Sequence, residues 1–426
     1  MESSIKSRRV SKSETLRCFT LFFVKPKIWE CGRRVSRGHP AWRCGMKTRL
    51  SLSVLAALMA FGCGGPASNN PPCFTCPPGA ACLDRDAIFV ANTGSSSISA
   101  LQPVDFEPGY TGGGVCGSPF PMNAPPTALG GGMGFGWLLV LSQPQKSVSI
   151  YSVDLVTSVL TGPLCTITTR YTPVAVAGTG GFFYVANAEG SISAYAVSGS
   201  GTIATELAGS PFPAGSGPVG IALAGTPGLL YVANSQSNNV SGYSLDGNTG
   251  VPTPLAGSPY PAGQGPASIV LAPVPLPNFL GPRLVMVANK LSNNVSVFSV
   301  AGDGSLSPVP GSPFPVGSSP SSVAMETNLI PLKFAYVTIP ASNEVEGYSI
   351  DGTSGALTPL AGSPLPTGVE PFSAAVGGWL YVANAGSNSL SVYSIDQSSG
   401  ALTPVAGSPF AVGQSPTAVV YYQVPQ

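Results

Sequence analysis

Charge is scarce in this chain. Asp, Glu, Lys and Arg make up 9% of its 426 residues, against about 25% in an ordinary soluble domain. Histidine is scarcer: His39 is the only one. Beyond residue 39, any base must therefore be a carboxylate, and a zinc site would lack imidazole ligands. The formal net charge of +1 also hides a split. Residues 1–63 hold thirteen Lys/Arg against three Asp/Glu, and the remainder hold six against fifteen. An acidic domain without clustered Lys and Arg is a poor nucleic-acid binder, because phosphate neutralisation needs such clusters. No nucleic-acid partner is expected. The apolar run from Leu50 to Gly62 has 13 residues, too few to span a bilayer.

Glycine and proline are plentiful, at 53 and 44 residues. They fall at fixed positions of a repeat, so they punctuate turns. One block reads Phe89-Val90-Ala91-Asn92, Tyr184-Val185-Ala186-Asn187, Tyr231-Val232-Ala233-Asn234, Met286-Val287-Ala288-Asn289 and Tyr381-Val382-Ala383-Asn384. Leu139-Val140-Leu141-Ser142 and Tyr336-Val337-Thr338-Ile339 are drifted copies, which makes seven. A Gly-Ser-Pro block follows each copy, from Gly117-Ser118-Pro119 to Gly407-Ser408-Pro409, with Gly162-Pro163 as its degenerate form. A period of about 45 to 50 residues built from short strands marks a β-propeller.

Each unit carries four strand signals. In the sixth, Ser321–Met325 is short and apolar, and Phe334–Ile339 is a nearly continuous apolar run, as in a strand covered on both faces. Asn343–Ile350 alternates, and Ala356–Leu360 contains Pro359, which suits an edge. Turns such as Asp351-Gly352-Thr353-Ser354-Gly355 read as Asx-turns rather than as ligand sites. The first copy starts at its second strand, and the last is followed by a strand with no blade after it. The predicted fold is therefore all-β: a seven-bladed propeller of four-stranded antiparallel blades over 86–426. The ring is closed by residues 417–423 pairing beside 87–92, so that no sheet edge stays open.

The N-terminal region reads as targeting sequence. Residues 1–45 form an upstream extension outside the mature protein. Residues 46–63 have the layout of a signal peptide, and Ala60-Phe61-Gly62-Cys63 resembles a bacterial lipoprotein cleavage site despite the bulky Phe61. Cys63 is the candidate acylation site, giving a membrane anchor in the cell envelope; simple secretion is the alternative. Residues 64–85 read as a Pro/Gly/Cys-rich tether. For an exported protein, Cys73, Cys76, Cys82, Cys116 and Cys165 read first as disulfide formers, with one thiol left over. A bridge between Cys116 and Cys165 is one option. No metal site or cofactor is indicated, and a monomer is expected.

The Tyr-Val-Ala-Asn blocks, with Ser-Asn-Asn-Val-Ser and Gly-Ser-Pro-Phe-Pro, resemble the YVTN-repeat propellers of the seven-bladed lactonase-like family, which includes 6-phosphogluconolactonase-type enzymes. The resemblance covers roughly 86–423. It implies the fold, and it implies catalysis only if ionisable groups gather at the mouth of the central channel. Lactone hydrolysis needs a base for water and a cation or donor for the oxyanion. Arg170 and Glu370, in loops entering the inner strands, are the candidates for anion contact and general base. Lys146, Glu189, Lys290 and Glu344 are further channel-mouth candidates. These six also read as scattered solvated charges. With no histidine and little charge, the sequence favours a non-catalytic envelope interaction module, with a lactonase-type hydrolase as the alternative.

Overall fold

The computed structural model describes residues 86–103, 115–133, 136–224, 228–272, 283–325 and 333–423. The extension at 1–45, the leader at 46–63 with Cys63, and the tether at 64–85 lie outside the described residues. The strands form seven antiparallel blades. Their second strands are Ala87–Asn92, Trp137–Ser142, Phe182–Asn187, Leu229–Asn234, Arg283–Asn289, Phe334–Ile339 and Trp379–Asn384. In five of them, blades one, two, four, five and six, every residue is buried. This follows from the unbroken apolar runs, since a strand between two covered faces needs no polar alternation.

The core is divided around the ring into seven clusters, each joining two neighbouring blades. Ile88 and Val90 of blade one, for example, pack with Tyr381, Leu390 and Val392 of blade seven. Closure is by the C-terminal strand. Pro416–Tyr422 runs antiparallel to Ala87–Asn92, with Ala87 opposite Tyr422 and Val90 opposite Val419. The terminal strand thus removes the open edge that the first blade would otherwise present.

The outer strand is more broken than the sequence predicts. In blades three to seven it has two pieces, such as Pro252–Pro254 and Tyr260–Pro261, separated by the Gly-Ser-Pro turn. All seven Pro-block peptide bonds are cis. The serine hydroxyl replaces a missing ladder partner: Ser258 Oγ accepts the Gly242 N–H at 2.9 Å, and Ser312 Oγ accepts that of Val297 at 2.9 Å. Blade two lacks this serine and keeps an unbroken outer strand, Leu160–Thr168. No disulfide joins Cys116 to Cys165.

Neighbouring blades are tied by repeat residues. The Tyr231 hydroxyl donates to Gly304 O at 2.6 Å, and Tyr336 donates to Gly400 O at 2.9 Å, each in the next blade. The inner strands of blades two and three approach so closely that Gly132 and Gly178 pair in parallel. A Cβ on Gly130 would lie 2.6 Å from Val176 O, so only glycine fits there.

Candidate functional site

Two sets of loops share one face of the ring. In five blades the loop after the second strand hydrogen-bonds to the loop entering the same blade's inner strand. Ser235 N–H donates to Gly217 O, Lys290 N–H to Gly265 O, and Ala385 N–H to Glu370 O. Asparagine clamps add to this. Asn238 Oδ1 accepts from Gly265 N–H, Asn293 Oδ1 from Ser319 N–H, and Asn343 Oδ1 from Glu370 N–H. The Ser-Asn-Asn motif is therefore spent on holding loops together across blades.

Beneath this face lies the central channel, a cavity of about 260 Å³ walled by the inner strands. Its wall holds hydroxyl and aliphatic side chains, including Thr127, Ser268, Ser322, Ser373 and the half-exposed Phe372, and no ionisable group among the described residues. Several hydroxyls serve the ring itself: Ser322 Oγ accepts from Ala374 N–H, and Ser373 Oγ from Val419 N–H, each in the next inner strand. These described residues offer neither a base nor a cation.

Acidic residues divide between the two faces by type. Among the described residues, Asp154, Asp246, Asp303, Asp351 and Asp396 occupy the turns between third and outer strands, opposite the loop face. Asp246 Oδ1 accepts from Asn248 N–H, Thr249 N–H and the Thr249 hydroxyl, Asp154, Asp351 and Asp396 repeat the pattern, and Asp303 accepts from the N–H and hydroxyl of Ser305. These bonds hold the five carboxyls below the usual aspartate range. The aspartates are Asx-turn residues, as the sequence predicts. Glu189, Glu344 and Glu370 lie on the loop face instead, with Lys146, Arg170 and Lys290.

The structure sorts the six candidate residues into groups. Lys146 and Glu189 come together where blades two and three meet. Glu189 accepts Thr172 N–H with both oxygens at 3.0 Å. Burial works to raise its carboxyl, but the Thr172 bonds and the Lys146 charge outweigh it and leave the group below the usual range. Arg170 enters the same junction, but its guanidinium pairs with Glu206, on the outer strand of blade three, at 3.8 Å. Glu370 and Glu344 flank the Asn343 clamp between blades six and seven. Lys290 opens the loop of blade five.

Two of these residues break the repeat. After the loop residue that bonds to the preceding blade, five copies carry glycine (Gly215, Gly263, Gly317, Gly368 and Gly413), blade two carries Asn123, and blade three carries Arg170. Before the inner-strand proline, Gly217 and Gly265 adopt φ of 63° and 62°, Ser319 and Ser415 adopt 58° and 48°, and Glu370 adopts 58°. A left-handed conformation costs a non-glycine residue roughly 1 kcal/mol, and this one carries an exposed carboxylate.

With the site's geometry known, comparison with known proteins places the chain. The pattern defining the lactonase family of seven-bladed β-propellers matches residues 138–419, about two thirds of the sequence. The chain belongs to that family. None of the curated proteins compared matches it. Among solved structures, a candidate 6-phosphogluconolactonase from Bacteroides uniformis is 18% identical, with a TM-score of 0.64 over 80% of this chain and 100% of its own. The periplasmic gluconolactonase of Pseudomonas aeruginosa is 19% identical, with a TM-score of 0.62 over 80% of this chain and 99% of its own. At these identities the likeness is one of fold.

In this lactonase-family propeller the two drifted blocks have consequences that the sequence reading missed. In regular blades the buried asparagine donates to a third-strand serine: Asn289 Nδ2 to Ser296 Oγ at 2.9 Å, Asn384 Nδ2 to Ser391 Oγ at 2.9 Å. Blades two and six lack it, having Ser142 and Ile339, and an inter-blade groove opens in each. The blade-two groove is about 120 Å³, and the buried Ser142 hydroxyl on its wall has no protein partner. In blade six the third-strand serine is also replaced, by Glu346. The signal was present: Asn343-Glu344-Val345-Glu346-Gly347-Tyr348 aligns with Asn238-Asn239-Val240-Ser241-Gly242-Tyr243.

Proposed function

We propose that the protein hydrolyses a lactone at the loop face of the propeller. Membership of the lactonase family carries this reading, and it favours the hydrolase over the non-catalytic module that composition alone suggested. In such a reaction water attacks the ring carbonyl, a carboxylate takes the water's proton, and the ring C–O bond breaks to release a hydroxy acid. The developing oxyanion needs a cation or an N–H donor. Support for the loop face comes from its charges: Arg170, as anion contact, stands where five blades carry glycine, and Glu370, as base, where blades four and five carry glycine. The Arg170–Glu206 pair is no obstacle, since its partners are 67% and 32% exposed and such pairs are worth about 0–1 kcal/mol.

Export through the leader at 46–63, with anchoring through Cys63, is part of the proposal. It rests on the leader's layout, and the fold's likeness to a periplasmic gluconolactonase is consistent with it. Membrane fractionation of the wild type against Cys63→Ala tests it; equal release of both into the soluble fraction would oppose anchoring. One observation favours the interaction-module reading: among the described residues, the channel wall holds no ionisable group. The two readings part on a panel of phosphorylated and unphosphorylated sugar lactones with the purified protein. Ring opening above background supports the hydrolase, and background rates throughout support the module.

A further inference from the structure

Blade six carries a carboxylate where every other blade carries a hydroxyl. The matching positions are Ser99, Ser149, Ser193, Ser241, Ser296 and Ser391. Glu346 keeps the serine's task, since both its oxygens accept Gly317 N–H at 3.1 Å, as Ser296 Oγ accepts Gly263 N–H. It also takes a second donor. The Tyr348 hydroxyl donates to Glu346 Oε2 at 2.6 Å. In blades four and seven the matching Tyr243 and Tyr393 donate instead to the carbonyl oxygens of Pro213 and Pro366. The corresponding carbonyl, Pro315 O, stands 3.5 Å from the Tyr348 hydroxyl, at the limit of a hydrogen bond.

A groove of about 300 Å³ opens beside this pair, at the low end of small-molecule sites. Its acceptors are the remaining lone pairs of Glu346 and the loosely engaged Pro315 carbonyl, and Ser363, whose Oγ accepts the Gly347 N–H, adds one hydroxyl. The Tyr348 O–H is already committed to Glu346. The rest of the wall is apolar, with Pro315, Val316, Pro359 and Pro364. Among the described residues no Lys or Arg pairs with Glu346; the one ion pair is Arg170–Glu206. A part-buried carboxylate with spare lone pairs and no counter-charge favours a cationic donor. The proline walls favour methylenes.

We propose that this groove between blades five and six binds a small primary alkylammonium, its charge on Glu346 and its alkyl chain along the prolines. The site is separate from the channel and independent of the lactonase reading. Ile339→Asn with Glu346→Ser rebuilds blade six as its regular neighbours are built, so folding is protected. Titrating the purified protein with n-butylammonium chloride, at matched ionic strength, is followed by NMR or calorimetry. n-Butanol is the uncharged control. Saturable one-to-one binding is expected, weakened at least about tenfold for butanol and for the rebuilt variant, as befits loss of one charge-assisted bond. Equal binding of amine and alcohol, unchanged binding in the variant, or no saturable binding would overturn the proposal.

Discussion

Replacing Asn289 by aspartate tests how the blades are held. The Asn289 side chain is fully buried, and its Nδ2 donates to Asn294 Oδ1 at 2.8 Å and Ser296 Oγ at 2.9 Å. In Asn289→Asp an ionised oxygen would face Asn294 Oδ1, an acceptor, with no charge to offset it. Burial would raise the new carboxyl's pKa by about 3 units from roughly 4. The folded pKa then lies above the unfolded one. The variant's stability is fully present below about pH 4 and falls as pH rises toward 7. The slope is about 1.4 kcal/mol per unit, or about 4 kcal/mol in all. Asn289→Ala loses the same two bonds without adding charge and should cost about 2–3 kcal/mol at every pH. Urea unfolding of both variants and wild type from pH 4 to 7 measures the difference. A flat difference between the two variants across that range would refute the assignment of Asn289 as an obligatory buried donor.

Other outcomes follow from the same contacts. Tyr231→Phe should cost about 1–3 kcal/mol in urea unfolding by leaving the Gly304 carbonyl without its donor; no change would mean the inter-blade bond is not made. Gly263→Ala should destabilise by about 1–3 kcal/mol, because its Cβ would sit 2.6 Å from Asn289 Nδ2. Gly302→Ala, in open space, should stay within about 0.5 kcal/mol, so equal effects would count against this packing. Removing 416–426 deletes the strand paired with Ala87–Asn92 and should abolish cooperative unfolding or drive association through the freed edge. A monomeric truncation that unfolds like wild type would count against closure by that strand.

Most of the fold was legible because one signal was repeated. Phe334–Ile339 is called a strand by its unbroken apolar run and is one. The closing strand followed from counting: one copy lacked a first strand and one strand lacked a copy. The two-piece outer strand was not legible, because the Ser258 hydroxyl stands in for a backbone partner that the alternation pattern does not show. The site was harder to read. Placing Arg170 and Glu370 on one face needed only loop order, whereas the Arg170–Glu206 pair joins a loop to an outer strand 36 positions on. Glu346 looked like one alternating residue of a strand. Its meaning appears only when Ile339 and Tyr348 are seen around it, at positions where regular blades carry asparagine or bond differently.

The central claim is that residues breaking the sevenfold pattern on the loop face carry the chemistry. Arg170→Gly restores the glycine of five other blades and Glu370→Gly that of blades four and five, and the second relieves a left-handed φ of 58°. Lactone hydrolysis by these variants beside wild type is the direct measurement, with unfolding followed in parallel. The account predicts wild-type ring opening above background, lost at least about a hundredfold in either variant while stability holds or rises. Full activity in both repeat-restoring variants would contradict it.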